Sequence, residues 1–165
     1  MDDLDGRVIE LFAHDPRIGV LEASRRLGVA RGTVQARLDK LVSGGVITGW
    51  GPDLSPEALG YPVTAFLTLE IRQDTTEHQG QRGGHDAVGA HLAAIPEVIE
   101  AHTITGAGDM WARVVARSNT DLQRVIDLVL ANPAIVRSST VITLATQVPH
   151  RVLPLARVAT AGRLS

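Results

Sequence analysis

Apolar side chains in the first fifty residues recur at helical spacing in three short blocks. The first block predicts a helix over residues 3–14, which Asp15-Pro16 ends, and the acidic residues at its start suit the positive end of the helix dipole. The third block repeats at i, i+4, i+7 and i+8, as one face of a helix does. The three blocks are marked by Leu4, Val8, Leu11 and Phe12; by Val20, Ala23, Ser24 and Leu27; and by Val34, Leu38, Leu41 and Val42.

Glycines divide these blocks at the positions where turns are needed. Gly28 separates the second block from the third with the short, glycine-containing turn of a helix-turn-helix. Gly44-Gly45 stops the third helix, because glycine tolerates the left-handed conformation of a helix C-cap. Residues 46–50, Val-Ile-Thr-Gly-Trp, then have the β-branched character of a short strand. Together these features predict a winged helix-turn-helix domain over residues 1–53.

The charges of this segment are unbalanced, although the whole chain is slightly acidic. Between Arg17 and Trp50 there are six basic and two acidic residues, whereas the formal net charge of the 165-residue chain is −2. A basic face on the second helix of a helix-turn-helix is attracted to the phosphates of DNA. A small helical bundle with ordinary solvated charges is the alternative interpretation of the same pattern.

The N-terminal part of the second helix of a helix-turn-helix enters the major groove. With the apolar stripe of the third block facing inward, Thr33 is placed to bond a base edge or a phosphate, and Arg31 to reach guanine. The other cations are predicted to contact phosphates, unless they pair with Asp39 or Glu22. The predicted DNA-binding residues are Arg25, Arg26, Arg31, Gly32, Thr33, Gln35, Ala36, Arg37 and Lys40. Those assigned to phosphates are Arg25, Arg26, Arg37 and Lys40.

The pattern after residue 62 changes to alternating strands and helices in the order β-α-β-β-α-β. This order is the split βαβ or ferredoxin-like arrangement of an α+β fold. A repeated run of helix, proline and strand around Pro96 and Pro133 supports it. The predicted strands span residues 63–71, 98–105, 110–117 and 135–148. The first predicted helix has an apolar stripe of Val88, Leu92, Ala93 and Ile95. The second has Asn119 or Thr120 as N-cap and an apolar stripe of Leu122, Val125, Ile126, Val129 and Leu130.

Segments of other composition separate and flank these elements. Three prolines mark residues 52–62 as a linker or a short helical turn, and we place the linker itself at 54–62. Residues 74–84 are polar and glycine-rich, which predicts a flexible loop. The tail, residues 149–165, is predicted to be poorly ordered or to form an arm. The second domain therefore spans residues 63–148.

Both faces of the first predicted strand are largely apolar or carry threonine. Two helices cover one face of a ferredoxin-like sheet, and the chain predicts no cover for the other. An apolar face of that size needs a partner, and a second copy of the chain is the most economical one. The sequence therefore predicts a homodimer formed through the two sheets.

Composition excludes several classes of protein. The chain has no cysteine, which excludes disulfides, thiol catalysis and cysteine-ligated zinc. The acidic N-terminus lacks the order of a signal peptide and no apolar run approaches the roughly 20 residues of a membrane helix, so we expect a cytoplasmic protein. Aromatic residues make up 3% of the chain, too few for a base-stacking platform. The six histidines are scattered without metal-ligand spacing, so no metal is expected.

A winged helix-turn-helix followed by a ferredoxin-like domain resembles the leucine-responsive regulatory protein/AsnC (Lrp/AsnC) family of prokaryotic transcription regulators. The resemblance covers about residues 3–148. It shows in LDGRVIELFAHDPRI, in TVQARLDKLVSGGVITGW and in IPEVIEAHTITGAGDMWARV, the last of which is similar to the family's Gly-x-x-Asp loop between two strands.

The resemblance implies a sequence-specific DNA-binding regulator, not an enzyme, without a cofactor, whose assembly or DNA affinity responds to a small effector, usually an amino acid. It also implies a dimer that assembles further into tetramers or octamers. In the family the effector lies near the Gly-x-x-Asp loop at a subunit interface. Carried over, and completed with hydroxyls from the facing strand, the implied effector-binding residues are Gly106, Ala107, Gly108, Asp109, Met110, Trp111, Ser138, Ser139 and Thr140.

The loop departs from the family pattern at one position. The residue before the Asp is often aromatic in the family, whereas it is Gly108 here, so we expect a larger pocket or the use of Trp111. Asp109 is the acceptor for the ammonium of an amino acid, and loop N–H groups and hydroxyls are donors for its carboxylate. Tight strand connections also favour Gly and Asp, so a purely structural loop is the alternative.

Two other functions fit parts of the sequence. Siroheme decarboxylases resemble these regulators in architecture, and in such an enzyme His102 and Arg113 would serve a tetrapyrrole. The basic face of the third helix argues against that interpretation, because an enzyme does not need it. A sequence-independent architectural DNA-binding protein is disfavoured by the negative net charge.

Overall fold

The computed structural model describes residues 1–72 and 84–161, which form two compact units. The first unit comprises Met1–Pro52 together with the C-terminal segment from Val148, and the second comprises Asp53–Gln147. The predicted loop over residues 74–84 lies outside the described residues, apart from Gly84. Within the described ranges, no helix is long and apolar enough to cross a membrane.

Three helices build the core of the first unit: α1 (Asp3–His14), α2 (Val20–Leu27) and α3 (Arg31–Ser43). The first helix has the predicted bounds. The predicted stripes are largely buried against one another, because helical spacing places them on one face of each helix; the exception is Val42, which is 45% exposed. The buried apolar residues of this unit are Val8, Phe12, Ala23, Leu27, Val34, Leu38 and Leu41.

Two glycines in the left-handed region make the turns that follow α2 and α3. Gly28 (φ 69°) ends α2, as predicted, and its N–H donates to carbonyls of the last turn. After α3 the left-handed residue is Gly45 (φ 68°), whereas Gly44 has an ordinary φ of −81°. Both turns therefore depend on residues that lack a Cβ.

Residues 46–50 do not form the predicted strand. A strand needs a neighbour that takes up its N–H and C=O groups, and no described segment pairs with these residues. The N–H groups of Val46 and Ile47 instead donate to the carbonyl of Leu41 at the end of α3. The ring of Trp50 packs edge-to-face on an aromatic ring of α1, with centroids 5.6 Å apart.

The second unit is a four-stranded antiparallel sheet with two helices on one face. The strands lie in the order β2-β3-β1-β4, which is the ferredoxin-like order and confirms the predicted fold class. The elements are β1 (Val63–Ile71), α4 (Gly84–Ala93), β2 (Val98–Thr103), β3 (Met110–Ala116), α5 (Asn119–Leu130) and β4 (Ile135–Ile142).

Several predicted boundaries in this unit are wrong: β2 and β3 end at Thr103 and Ala116 rather than at residues 105 and 117, and two further boundaries differ as follows. The N-cap of α5 is Ser118, one residue before Asn119, and its hydroxyl accepts a hydrogen bond from the Asp121 N–H at 3.1 Å. The last strand ends at Ile142, not at residue 148. It pairs with β1, and Ile142 already lies opposite Ala65, near the start of that strand, so little partner backbone remains.

The two faces of the sheet differ in cover. Alternate residues of β1 are buried against α4 and α5 and form the core with apolar residues of those helices. The opposite face, here called the open face, carries Phe66 and Thr68 of β1, which lie opposite Arg113 and Trp111 of β3. These four residues are only half-buried. The β1 residues on the covered face are Ala65, Leu67, Leu69 and Ile71.

As far as Ala161, the C-terminal segment is not the poorly ordered tail or arm that its composition predicts, and residues 162–165 lie outside the described residues. Residues Leu153–Ala161 form a helix, α6, which packs on α1 inside the first unit. The approach is close because α1 has glycine at the contact: a Cβ on Gly6 would lie 2.7 Å from the Thr160 hydroxyl oxygen. An ion pair between Arg157 and Glu10, at 2.6 Å, adds to the contact.

Candidate functional site

The accessible side of α3 carries the residues predicted to read DNA. On this side lie the exposed Arg31, Gly32, Gln35 and Ala36 and the half-buried Thr33. The helix begins after Ala30 without a side-chain cap, so its first N–H groups stay open at the positive end of the helix dipole. Within the described residues, Arg31 makes no ion pair and no side-chain hydrogen bond, which leaves its guanidinium available.

The cations of α2 pair with acids on the surface. Arg25 lies 3.6 Å from a Glu22 carboxylate oxygen, and Arg26 lies 3.2 Å from Glu22 and 3.5 Å from Asp15. All of these side chains are 41–69% exposed. Pairing with Glu22 is one of the alternatives considered above. Exposed pairs of this kind contribute about 0–1 kcal/mol, so another anion can replace the carboxylate.

Two cations of α3, Arg37 and Lys40, are held differently, by acids at the start of α1. Asp2 and Asp5 form a capping box there, each side chain accepting a hydrogen bond from the other's backbone N–H. Arg37 Nη1 donates to Asp5 Oδ1 at 2.9 Å and also to Asp2, and Lys40 Nζ donates to Asp5 Oδ2 at 3.0 Å. The Asp5 side chain is completely buried, whereas Lys40 is 58% exposed.

These bonds set the ionisation of the acids. Burial raises the pKa of Asp5, but hydrogen bonds from Lys40, the Asp2 N–H and Arg37 outweigh burial, so this pKa lies below its ordinary value. The backbone N–H of Asp5, and then Arg37, lower the pKa of Asp2. The sequence pattern did not predict this cluster. The available signal was the position of Asp5, which shares the apolar stripe of α1 with Val8 at i+3 and Phe12 at i+7. An acid at a buried position is rare unless it is paired.

The loop between β2 and β3 packs its backbone against β1. The N–H of Asp109 donates to the carbonyl of Leu69 at 2.9 Å, and Asp109 Oδ2 accepts the N–H of Ile71 at 2.7 Å. Gly106 (φ 110°) and Gly108 (φ 131°) both have positive φ. Asp109 therefore has the turn role considered as the alternative above. Its Oδ1 accepts no hydrogen bond within the described ranges.

The expectation that Gly108 enlarges a pocket is wrong. A Cβ at this position would lie 2.5 Å from Thr68 Cγ2 and 3.3 Å from the Leu69 carbonyl oxygen, so β1 already fills that space. The glycine is required by close approach and by its φ, not by an empty volume. The alternative expectation, that Trp111 takes the aromatic role, stays a prediction.

The remaining residues predicted to bind an effector fall on two faces of the sheet. Met110 and Ser138 both lie opposite Leu69, on the covered face, and the buried Ser138 hydroxyl has no hydrogen-bond partner among the described residues. Trp111 and Ser139 both lie opposite Thr68, on the open face. Two further predicted residues are Ala107, which is exposed in the loop, and Thr140, which is exposed on β4. One pocket wall cannot include all of them.

The residues proposed for a tetrapyrrole form a small polar cluster on the open face. His102 Nε2 lies 2.8 Å from Glu100 Oε1, and an Arg113 guanidinium nitrogen lies 3.0 Å from Glu100 Oε2. The Trp111 ring stacks on Phe66 with centroids 4.9 Å apart. In the part of the chain that the structure describes, no group of His, Asp or Glu side chains is arranged to hold a metal ion.

A helix-turn-helix with a basic, accessible second helix, joined to a ferredoxin-like domain, defines the class of DNA-binding regulators with an attached ligand-binding domain. Comparison with known families agrees. The AsnC-type helix-turn-helix domain matches residues 1–42, and the Lrp/AsnC ligand binding domain matches residues 64–153. The chain belongs to the Lrp/AsnC family of transcriptional regulators.

Individual relatives extend over most of the chain. The HTH-type transcriptional regulator FL11 of Pyrococcus horikoshii is 28% identical over 155 residues, 94% of this chain and 97% of that protein. The solved structure of Escherichia coli AsnC is 28% identical, covers 93% of this chain and 99% of its own, and superposes with a TM-score of 0.81. A feast or famine regulatory protein from M. tuberculosis, solved in complex with L-methionine, is 26% identical, with 92% and 97% coverage and a TM-score of 0.75. These relatives favour a regulator over a siroheme-decarboxylase-like enzyme.

Proposed function

We propose that this regulator reads a specific DNA sequence with the first turns of α3, and that an amino acid bound near the β2–β3 loop tunes its DNA affinity or its assembly. The observation that carries the proposal is the open N-terminus of α3. There Arg31, which has no ion-pair partner among the described residues, stands beside uncapped N–H groups. Such a helix end attracts phosphate, and an arginine next to it can bind guanine in the major groove.

The remaining residues of the accessible side support a close approach to DNA. Gly32 and Ala36 add little bulk, Thr33 offers a hydroxyl, and Gln35 offers an amide that now donates to Asp39 at 2.8 Å. We assign Arg25 and Arg26 to phosphates, because their present pairs are exposed and weak. Arg37 and Lys40 differ from them, since both pair with the buried Asp5.

The β2–β3 loop is the proposed effector site because it combines an acid with open hydrogen-bonding capacity. Asp109 Oδ1 has no hydrogen bond in the described chain, and it can accept the ammonium group of an amino acid. The unsatisfied hydroxyl of Ser138 is a donor for a carboxylate or a water. The relative solved with L-methionine supports an amino acid as the class of effector.

We also propose that a second copy covers the open face of the sheet. Phe66 and Trp111 stack there, and Val141 of β4, which lies opposite Phe66, is 63% exposed. Aromatic and aliphatic side chains on one sheet face are typical of a dimer interface. Light scattering of the full chain should therefore give at least a dimer, and Val141→Glu should lower the assembly state.

Selection of duplexes from a random DNA library tests the DNA-binding half of the proposal. The wild-type chain should enrich one sequence motif. Arg31→Gln should then lose about 1–3 kcal/mol of discrimination against a shuffled duplex, the usual cost of one specific base contact. The matched control is Arg124→Gln, which removes the same charge from an exposed residue of α5, a helix on the covered face of the sheet. Equal binding by the Arg31 variant would refute the assignment of the recognition surface.

Thermal-shift screening against the amino acids tests the effector half. A ligand that binds only the folded protein raises the unfolding midpoint in proportion to its saturation. We expect at least one amino acid to raise the midpoint and to change the affinity for the selected duplex. If every amino acid leaves both quantities unchanged, the effector belongs to another chemical class.

A further inference from the structure

The two cations in the middle of α3 share one buried carboxylate. Both oxygens of Asp5 are used: Oδ1 accepts from Arg37, and Oδ2 accepts from Lys40 at 3.0 Å and from the Asp2 N–H at 3.0 Å. Three donors fix the orientation of this side chain. Because α1 supplies the acid and α3 supplies the cations, the cluster ties the recognition helix to the first helix at a defined rotation.

Because Asp5 is buried, replacing its bonds to Lys40 and Arg37 with bonds to DNA phosphates is energetically costly. An ionised carboxylate without solvent needs its charged partners, and removing one of them leaves an uncompensated charge. A DNA phosphate that captured Lys40 or Arg37 would take away one of the two cations that compensate the buried charge of Asp5. The pairs of Arg25 and Arg26 with Glu22 differ, because both partners there are exposed and water can replace either one.

The local charge balance points the same way. Two cations, Arg37 and Lys40, face two acids, Asp2 and Asp5, so this patch of the recognition surface is close to neutral. Arg31, two turns away along α3, has no acid partner among the described residues. The positive field of α3 is therefore concentrated at its N-terminal end.

We propose that Asp5 is a positioning residue for DNA recognition: it binds Arg37 and Lys40, withholds them from phosphates and fixes how α3 presents Arg31 and Thr33. The inference rests on the proposed DNA-binding function and replaces the assignment of these two cations to phosphates. It predicts that the acid contributes to sequence discrimination although it touches no base.

Asp5→Asn in the full chain tests the proposal, with the library-selected duplex and a shuffled duplex of equal composition as probes. The variant frees Lys40, leaves Arg37 with Asp2 as its remaining acid, and loosens α3. It should therefore bind the shuffled duplex as tightly as wild type or more tightly, and prefer the selected duplex at least fivefold less. Its salt slope should steepen by roughly one for each freed cation that reaches a phosphate. A purely structural role would weaken binding to both duplexes and steepen neither slope.

Asp3→Asn is the matched control. Asp3 lies in the same first turn of α1 and is exposed, and it takes no part in the cluster. Removing its charge changes the net charge of the chain as much as the Asp5 variant does. The control should keep the wild-type preference, and an equal loss in both variants would attribute the effect to net charge and overturn the proposal.

If Asp5→Asn does not fold, Lys40→Gln and Arg37→Gln test the same proposal from the side of the cations. If these cations contact Asp5 rather than DNA, each variant should leave the salt slope at its wild-type value, whereas Arg25→Gln, which removes a cation assigned to a phosphate, should lower it by roughly one. A drop of one unit in the Lys40 and Arg37 variants would overturn the proposal. A wild-type chain that selects no duplex would instead refute the proposed function. In that case the ion pair can still be measured by stability: the changes in the free energy of unfolding caused by Asp5→Asn and by Lys40→Gln should not add in the double variant.

Discussion

Helix α3 and the β2–β3 loop differ in what holds their charged side chains. On α3 the cations Arg37 and Lys40 bind a carboxylate from another helix, so the contact joins side chain to side chain. In the loop the carboxylate of Asp109 accepts a backbone N–H from β1, and the Asp109 N–H donates to a β1 carbonyl. The first arrangement depends on the charges of both partners. The second depends on backbone geometry.

This difference determines what a substitution or a change of pH does in each region. Neutralising one member of the α1–α3 cluster changes the electrostatics of the proposed DNA-binding surface while the helices keep their backbone hydrogen bonds. Changing a glycine in the loop moves backbone that β1 must accommodate. The comparison therefore predicts electrostatic phenotypes in the first unit and steric phenotypes in the second.

Gly108→Ala should have the largest effect on stability, and a small effect would show that the loop does not depend on its backbone geometry. The added Cβ meets Thr68 Cγ2 at 2.5 Å, and the φ of 131° is one that L side chains rarely adopt. Strain and overpacking together should lower the free energy of unfolding of the second unit by about 2–4 kcal/mol. Urea unfolding followed by Trp111 fluorescence measures this in a Trp50→Phe background, because the chain has two tryptophans and each unit contains one.

Gly89→Ala is the control for that measurement. Gly89 lies within α4 of the same unit, and a Cβ there meets nothing within 4 Å. Alanine favours a helix over glycine by about 0.5–1 kcal/mol, so this variant should be slightly more stable than wild type. Equal destabilisation by both variants would show that the loop geometry is not special.

The helical core of the first unit and the order of the sheet could be predicted from the sequence because both follow from repeated apolar spacing. Val8, Val34 and Leu38 are buried as their periodicity requires. The strand ends were less predictable, since β4 stops where its partner β1 begins, and pairing is a property of two segments. The missing strand at 46–50 has the same cause.

In the candidate DNA-binding site, the sequence predicted which side chains are exposed but not which of them are paired. Outward positions of α3 follow from the buried stripe, so the accessibility of Arg31 could be inferred. The partners of Arg37 and Lys40 could not be, because Asp5 lies 32 and 35 residues away in the chain. The helix α6 escaped prediction for a related reason: it packs on α1, which lies about 150 residues earlier in the chain, with Thr160 against Gly6.

Asp109→Asn tests whether the loop of the second unit needs the charge of this side chain or only its hydrogen bond. The amide oxygen can still accept the Ile71 N–H, so the loop should keep its fold, but the side chain loses the charge that a buried ammonium requires. The effector-induced change in DNA affinity, which corresponds to about 1–3 kcal/mol or 5- to 150-fold in coupled systems, should fall towards none. Titration of the selected duplex with and without the amino acid found by thermal shift measures it.

The outcomes separate the two roles of Asp109. Unchanged DNA affinity in the absence of effector, together with a lost response, supports an effector contact. A wild-type response in the asparagine variant would place the binding site elsewhere. If Asp109→Asn responds normally while Asp109→Ala unfolds, the carboxylate serves only the turn, as many Asp residues in tight connections do.

The smallest expected effect concerns the pH dependence of stability, to which one acid in each unit contributes. The pKa of Asp5 lies below its ordinary value in the folded state, so the unfolded chain takes up protons first as the pH falls. Stability from this group is complete above the ordinary Asp pKa of about 3.9 and is lost as the pH decreases from there through the folded pKa. Asp121 in the second unit behaves with the same sign, because Arg124 and the Arg117 N–H lower its pKa.

Acid should therefore destabilise both units of the wild-type chain, and Asp5→Asn should remove part of that dependence from the first unit alone. Trp50 fluorescence in a Trp111→Phe background reports the first unit, since its ring packs on Phe12, and Trp111 in a Trp50→Phe background reports the second. Between about pH 2 and 6, the unfolding midpoint of the Asp5→Asn variant should depend less on pH than that of the wild type when it is followed by Trp50, and equally when it is followed by Trp111. An equal loss of pH dependence in both signals would mean that the charge of Asp5 acts on the whole molecule and not through its contact with α3.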